Sequence, residues 1–168
     1  MKLKILILIT LVLLSNQMIF GQEPDWMKKM KSITLLSSTR DDVNKLLGQP
    51  RGNRISYLEY YVLEEGEISV QYSRKCRTII VEGKEVVEGW NIPEWTVTTI
   101  SFSPNKKLTL KKLKIDVAGF NSYPVSDSRD AIVYENDELG IEYGIGSKGK
   151  IELITFYPAS KYDNLHCK

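Results

Sequence analysis

Two segments far apart in the chain close a strand in the same way. Thr99-Ile100-Ser101-Phe102-Ser103-Pro104 and Leu153-Ile154-Thr155-Phe156-Tyr157-Pro158 share the pattern I-[ST]-F-x-P. Alternating β-branched and aromatic residues read as a strand, and a proline that cannot donate to a ladder ends it. A second, looser match sets Glu64-Glu65-Gly66-Glu67-Ile68-Ser69-Val70-Gln71-Tyr72 beside Asn136-Asp137-Glu138-Leu139-Gly140-Ile141-Glu142-Tyr143. Each is an acidic turn leading into an Ile/Tyr strand. A chain that repeats its own grammar is expected to build one unit twice. The fold class expected is therefore α+β, two short helix-plus-antiparallel-hairpin units in tandem within one domain. The units run over about 33–105 and 106–160, with a tail at 161–168.

Local signals place the elements. Thr39 is an N-cap with Asp42 three residues on, an acidic capping box, and Asp41 and Asp42 suit the positive end of the helix dipole. Val43, Leu46 and Leu47 make one apolar face, while Gly48 and Pro50 stop the helix. Strands follow at about 55–63, 68–72, 78–81, 85–87 and 96–102, with a hairpin turn around Glu82-Gly83-Lys84. In the second half, Leu110, Leu113, Val117 and Phe120 are spaced for a short helical segment after Thr109. Strands are expected at 131–134, 140–145 and 151–157.

The N-terminus reads as a secretory signal over residues 1–21. Lys2 and Lys4 form a basic start, and Ile5 to Leu14 is an apolar run well short of the ~20 residues that span a bilayer. Ser15-Asn16-Gln17 argues against a longer anchor, and Gly21 is the small residue at the cleavage point. Residues 22–32 are read as a flexible lead-in or a short helix. Loss of Lys2 and Lys4 reduces 23 basic residues to 21, level with the 21 acidic ones. A neutral domain lacks the basic face that nucleic acid needs. No cysteine stands near the cleavage point to be lipidated.

The two cysteines, Cys76 and Cys167, read as a disulfide in an oxidising compartment. It would close a loop of about 90 residues and contribute roughly 4–5 kcal/mol in the chain-entropy view.

The segment Ser38-Thr39-Arg40-Asp41-Asp42-Val43-Asn44-Lys45-Leu46-Leu47-Gly48-Gln49-Pro50, followed by an aromatic strand and hairpin, resembles the repeat of the SmpA/OmlA (BamE) outer-membrane-assembly lipoproteins. Two such units in tandem resemble the β-lactamase-inhibitor-protein architecture. The chain after residue 21 is also similar to uncharacterised small secreted proteins of bacteria. These resemblances imply a fold and carry over no functional residues.

No catalytic constellation is legible. His166 is the one histidine and lies at the chain end, which removes Ser-His-Asp and Cys-His mechanisms and histidine-based zinc sites. No phosphate-binding or dinucleotide motif occurs; Gly144 to Gly149 lies between strands and reads as a turn. No cofactor or metal is expected. Glu59, Glu64, Glu65 and Glu67, and Asp127, Asp130, Glu135, Asp137 and Glu138, could in principle furnish paired carboxylates, but read first as solvated turns and strand faces. The segment Glu88 to Trp95 is an aromatic loop, and Trp90, Trp95, Tyr57 and Tyr61 are the candidate partner-binding residues. Alternatively these rings cover the sheet edge. The sequence thus implies an exported, non-enzymatic interaction or structural module, with another envelope or secreted protein as the partner and no membrane span after cleavage. The second reading is a secreted hydrolase inhibitor acting through residues 88–95.

Overall fold

The computed structural model describes residues 24–51, 57–125 and 130–168. The expected signal segment lies outside the described residues.

Two helices precede the sheet: α1 (Asp25–Ser32) and α2 (Arg40–Leu47). Five strands follow, β1 (Leu58–Val62), β2 (Gly66–Tyr72), β3 (Arg77–Val81), β4 (Lys84–Glu88) and β5 (Val97–Pro104). The second half contributes α3 (Leu110–Leu113), β6 (Asn121–Pro124), β7 (Ile132–Asn136), β8 (Ile141–Ile145) and β9 (Ile151–Phe156). Seven strands form one antiparallel sheet in the order β1-β2-β5-β9-β8-β7-β6, and β3-β4 form a separate ribbon.

The repeated pattern lies at the centre of the sheet. Its two copies pair with each other: Ile100 faces Phe156, Ser101 faces Thr155 and Phe102 faces Ile154, with the Ser101 and Thr155 hydroxyls 3.1 Å apart. The repetition extends outward from this seam. In the first half β5 carries one extra residue, Thr98, where the register passes from Gln71–Thr99 to Tyr72–Val97. In the second half Glu152 is the extra residue, between Gly144–Leu153 and Ile145–Ile151. These are the same bulge, at the same offset from I-[ST]-F-x-P. Each half also opens with a threonine-capped helix, Thr39 accepting from the Asp42 N–H and Thr109 from the Lys112 N–H. The carbonyl before each cap accepts from the strand: the Val97 N–H donates to Ser38 (2.8 Å) and the Ile151 N–H to Leu108 (2.9 Å).

Alternation divides the sheet faces. Ile68, Val70, Tyr72, Ile100, Phe102, Tyr143 and Ile154 form the core together with Trp26, Met30, Ile33 and Val43. Ser69, Gln71, Thr99, Ser101 and Thr155 alternate with them on the other face. Of the two readings of residues 22–32, a flexible lead-in or a short helix, the structure has the short helix, and it is tied down. Residues 25–32 are helical, Trp26 is 3% exposed, and its ring stacks on Phe102 at 4.1 Å. Trp26, Met30 and Ile33 are spaced by four and three residues, so one turn of periodicity points all three inward. The short helix after Thr109 ends at Lys114 in a left-handed conformation, earlier than the spacing of Val117 and Phe120 predicted, although both still pack on the core.

Candidate functional site

The loop at 89–96 is held along its whole length. Gly89 adopts φ +117°, where a side chain would press on the Lys75 carbonyl. The Trp90 N–H donates to Arg74 (3.2 Å), and the Asn91 N–H to Leu165 (2.7 Å). The Pro93 carbonyl accepts from the Ser73 hydroxyl (2.6 Å) and the Thr96 hydroxyl (2.7 Å). Below the loop, Cys76 and Cys167 are joined in a disulfide with Cα atoms 5.7 Å apart, and the Cys167 N–H donates to the Gly89 carbonyl (3.2 Å). The expected pairing is thus present.

The four candidate aromatics do not share a face. Tyr57 and Trp95 stack at 4.4 Å and 13°, with the Arg74 guanidinium 4.7 Å from the Tyr57 ring and that of Arg40 4.6 Å from the Trp95 ring. The Tyr57 hydroxyl donates to Glu94, which holds its proton more tightly than usual, as do burial and the carboxylate's charge. Trp90 lies in a second cluster, its ring 3.7 Å from that of His166. Both tryptophans are half-buried. Tyr61 is a correction: at 1% exposure it cannot meet a partner, because alternation along β1 turns it and Glu59 inward.

That inward pair anchors a buried polar network. Arg40 binds Glu59 as an ion pair, and the Tyr61 hydroxyl is 2.9 Å from the other carboxylate oxygen. The Tyr72 hydroxyl stands 3.1 Å from that of Tyr61, and Asn44 closes the group at 3.0 Å. The Tyr61 hydroxyl has one proton to give to the Glu59 carboxylate or the Asn44 carbonyl oxygen, and either hydroxyl of the Tyr61–Tyr72 contact can donate. Burial pushes Tyr61 up to about 12, and Tyr72 is raised further for the same reason. Glu59 is therefore a structural anion, neutralised by Arg40, and is separated by its orientation from Glu64, Glu65 and Glu67 at the turn.

Of the second acidic group, the structure brings together Glu135 and Asp137. The Tyr157 hydroxyl reaches both, at 3.2 and 2.9 Å. Glu142, which no sequence motif marks, faces Glu135 across β7–β8. Asp130 and Glu138 are exposed, and Asp127 lies outside the described residues. Trp90, Thr99, Asp137, Tyr157, Asp163 and His166 border a cleft of about 370 Å³. Among the described residues no three histidine, cysteine, aspartate or glutamate side chains converge to hold a metal.

The β3–β4 ribbon exposes aliphatic side chains on both of its faces. Ile80 is 74% exposed, Val81 45%, Val86 43% and Val87 41%. Sequence reasoning found this hairpin but not its exposure, because an apolar run of strand length does not say which side is covered.

No protein-family profile matches the chain, and no curated protein matches it. Among solved structures it is similar to the crystal structure of a DUF4309 family protein, YjgB, from Bacillus subtilis subsp. subtilis str. 168. The two share 16% sequence identity over 82% of this chain and 88% of that one, with a TM-score of 0.51. The likeness shows the fold alone. It places the α+β, largely antiparallel architecture among known structures.

Proposed function

We propose that this chain is an exported, non-enzymatic interaction module whose contact surface is the β3–β4 ribbon. The observation that carries the reading is the ribbon's exposure. Four aliphatic side chains are exposed on a hairpin that pairs with no other described strand, Ile80 and Val87 on one face and Val81 and Val86 on the other by its register, and exposed apolar surface marks interaction sites. Its base is braced by the Cys76–Cys167 bridge and by the Arg77–Glu88 ion pair, so it is presented as a stiff element. Export is supported by the basic-then-apolar N-terminus and by a disulfide suited to an oxidising compartment. No helix among the described residues is long and apolar enough to cross a membrane. Residues 88–95 form a fixed loop, but both of its tryptophans are half-buried against neighbours, which favours the ribbon over this loop as the contact surface.

A photo-crosslinking residue at Ile80, introduced in the native cell, tests the reading. A discrete protein adduct is expected from Ile80 and none from Ser122 on the opposite edge strand. Absence of any adduct at Ile80 would overturn it. Mass analysis of the N-terminus checks export, which requires that the chain begin near Gln22.

A further inference from the structure

We propose that the partner of the ribbon is a second copy of this chain, joined edge to edge through β4 in a register centred on Val86. The inference rests on the reading of the ribbon as a contact surface and goes on to name what it contacts.

The geometry of the turn decides which backbone groups are free. Glu82 (φ 51°) and Gly83 (φ 77°) are the two central residues of the turn, with Val81 facing Lys84, Ile79 facing Val86 and Arg77 facing Glu88. A two-residue turn with both φ values positive makes the flanking residues, Val81 and Lys84, a doubly hydrogen-bonded pair. Bonded and non-bonded pairs then alternate. Lys84, Val86 and Glu88 therefore direct their N–H and C=O groups toward β3, whereas Glu85 and Val87 direct theirs outward. An antiparallel partner can bond only where outward residues meet outward residues.

Three two-fold registers satisfy that rule near the middle of β4. Centring on Glu85 sets Glu85 against its own copy, which repels. Centring on Val87 sets Glu85 against Gly89 and Glu88 against Val86, so neither Lys84 nor Glu85 meets an opposite charge. Centring on Val86 places Glu85 against Val87 twice, satisfying all four outward groups of each copy, and sets Lys84 against Glu88 of the second copy at both ends. The sequence Lys84-Glu85-Val86-Val87-Glu88 is thus complementary to itself in charge only in this register. Opposite charges directly across a ladder stabilise it and like charges do the reverse. Lys84 forms no ion pair with another described residue. The resulting four-stranded ribbon would align Ile79 and Val86 of each copy in one continuous apolar row, since directly opposed residues share a face. A two-fold contact of this kind is closed and does not propagate. β3 offers no such match: its antiparallel self-pairing about Ile79 sets Arg77 against Val81.

Sedimentation of the purified, disulfide-intact protein across a concentration series tests the proposal. The contact is small, so a monomer–dimer equilibrium on the order of 10–100 μM is expected. Glu85→Pro removes an outward N–H that the hairpin itself does not use, a position where an edge strand tolerates proline, and should leave only monomer with the melting temperature retained. Thr78→Pro makes the equivalent change on the β3 edge and should leave the dimer intact. Lys84→Glu, which does not alter the backbone, should raise the dissociation constant about tenfold by placing like charges opposite each other at both ends. A protein that stays monomeric throughout the series overturns the proposal. A dimer lost in Thr78→Pro but not in Glu85→Pro also overturns it. If the protein is monomeric while Ile80 crosslinks to a different protein, the second-copy assignment fails and the interaction reading stands. If neither a dimer nor an adduct forms, both fail.

Discussion

At Glu59 burial disfavours the charge, but hydrogen bonds from Arg40 and Tyr61 outweigh it and hold the carboxyl below its usual 4.5. At Glu142 burial acts first and Glu135 adds repulsion, so that carboxyl is held above 4.5. The signs of their pH dependence are therefore opposite. The Glu59 contribution is fully present above the unfolded value of 4.5 and is lost as pH falls through the lower folded value. Glu59→Gln leaves Arg40 without its counter-ion. Because the Arg40 side chain is 21% exposed, the expected cost at pH 7 is about 2–3 kcal/mol, at the lower end for a broken buried pair. Urea unfolding should show that cost shrinking as pH falls below 4.5 and on through the lowered folded value, where the native carboxyl takes up its proton. Glu142 takes stability away once pH rises through its raised folded value. Glu142→Gln should accordingly increase the melting temperature at pH 7, with no gain at pH 4 and below. A gain at both pH values would mean that packing, and not charge, is relieved there.

Among the elements, α2 and α1 differ in how openly the sequence declares them. Every signal for α2 is local: the cap, the acidic first turn, the i, i+3, i+4 apolar set and the glycine stop all lie within Thr39 to Gly48. For α1 the only signal is Trp26, Met30 and Ile33 on one face, set among lysines, and its Pro24 cap gives no side-chain hydrogen bond. An eight-residue helix does not persist alone in water, so its docking surface, chiefly Phe102, lies far along the chain and is invisible to a local reading. No local signal marks the β6 strand either: Asn121 to Pro124 is exposed at every position and is a strand because β7 offers an edge. If docking sustains α1, Trp26→Ala should cost about 3–5 kcal/mol as a large core truncation. It should also make Lys28 and Lys29 sensitive to trypsin under native conditions. Trypsin resistance in that variant would show that the helix is held by something other than the Trp26–Phe102 stack.

The whole molecule is two similar halves meeting at β5 and β9, and the sequence announced this through I-[ST]-F-x-P because that segment occupies the seam. The shared bulge at Thr98 and Glu152 left no trace in residue type, since a bulge is a matter of register and threonine and glutamate have nothing in common. The Cys76–Cys167 bridge adds a tie that the seam does not supply, fixing the tail across the first half. With a separation of 91 residues, Cys76→Ser/Cys167→Ser should lower stability by roughly 4–5 kcal/mol in the chain-entropy view. Two glycines test whether the halves are equally constrained. Gly66 and Gly140 each lie against the carbonyl of the residue that follows phenylalanine in the repeated pattern, Ser103 and Tyr157, closer than a methyl group permits. Backbone cannot retreat as a flexible side chain can, so alanine at either position must push a central strand outward, at about 1–3 kcal/mol or more. Gly140 also has φ +65°, a conformation that adds roughly 1–2 kcal/mol for an L side chain. Gly140→Ala should therefore be the more damaging, and both should lower a single cooperative midpoint, because Phe102 and Ile154 face each other across the seam and belong to one core. Chemical unfolding followed by tryptophan fluorescence and by far-ultraviolet circular dichroism distinguishes the cases. All three tryptophans lie in the first half, so a midpoint by fluorescence that stays at the wild-type value in Gly140→Ala, while the dichroism midpoint falls, would show two halves that unfold apart.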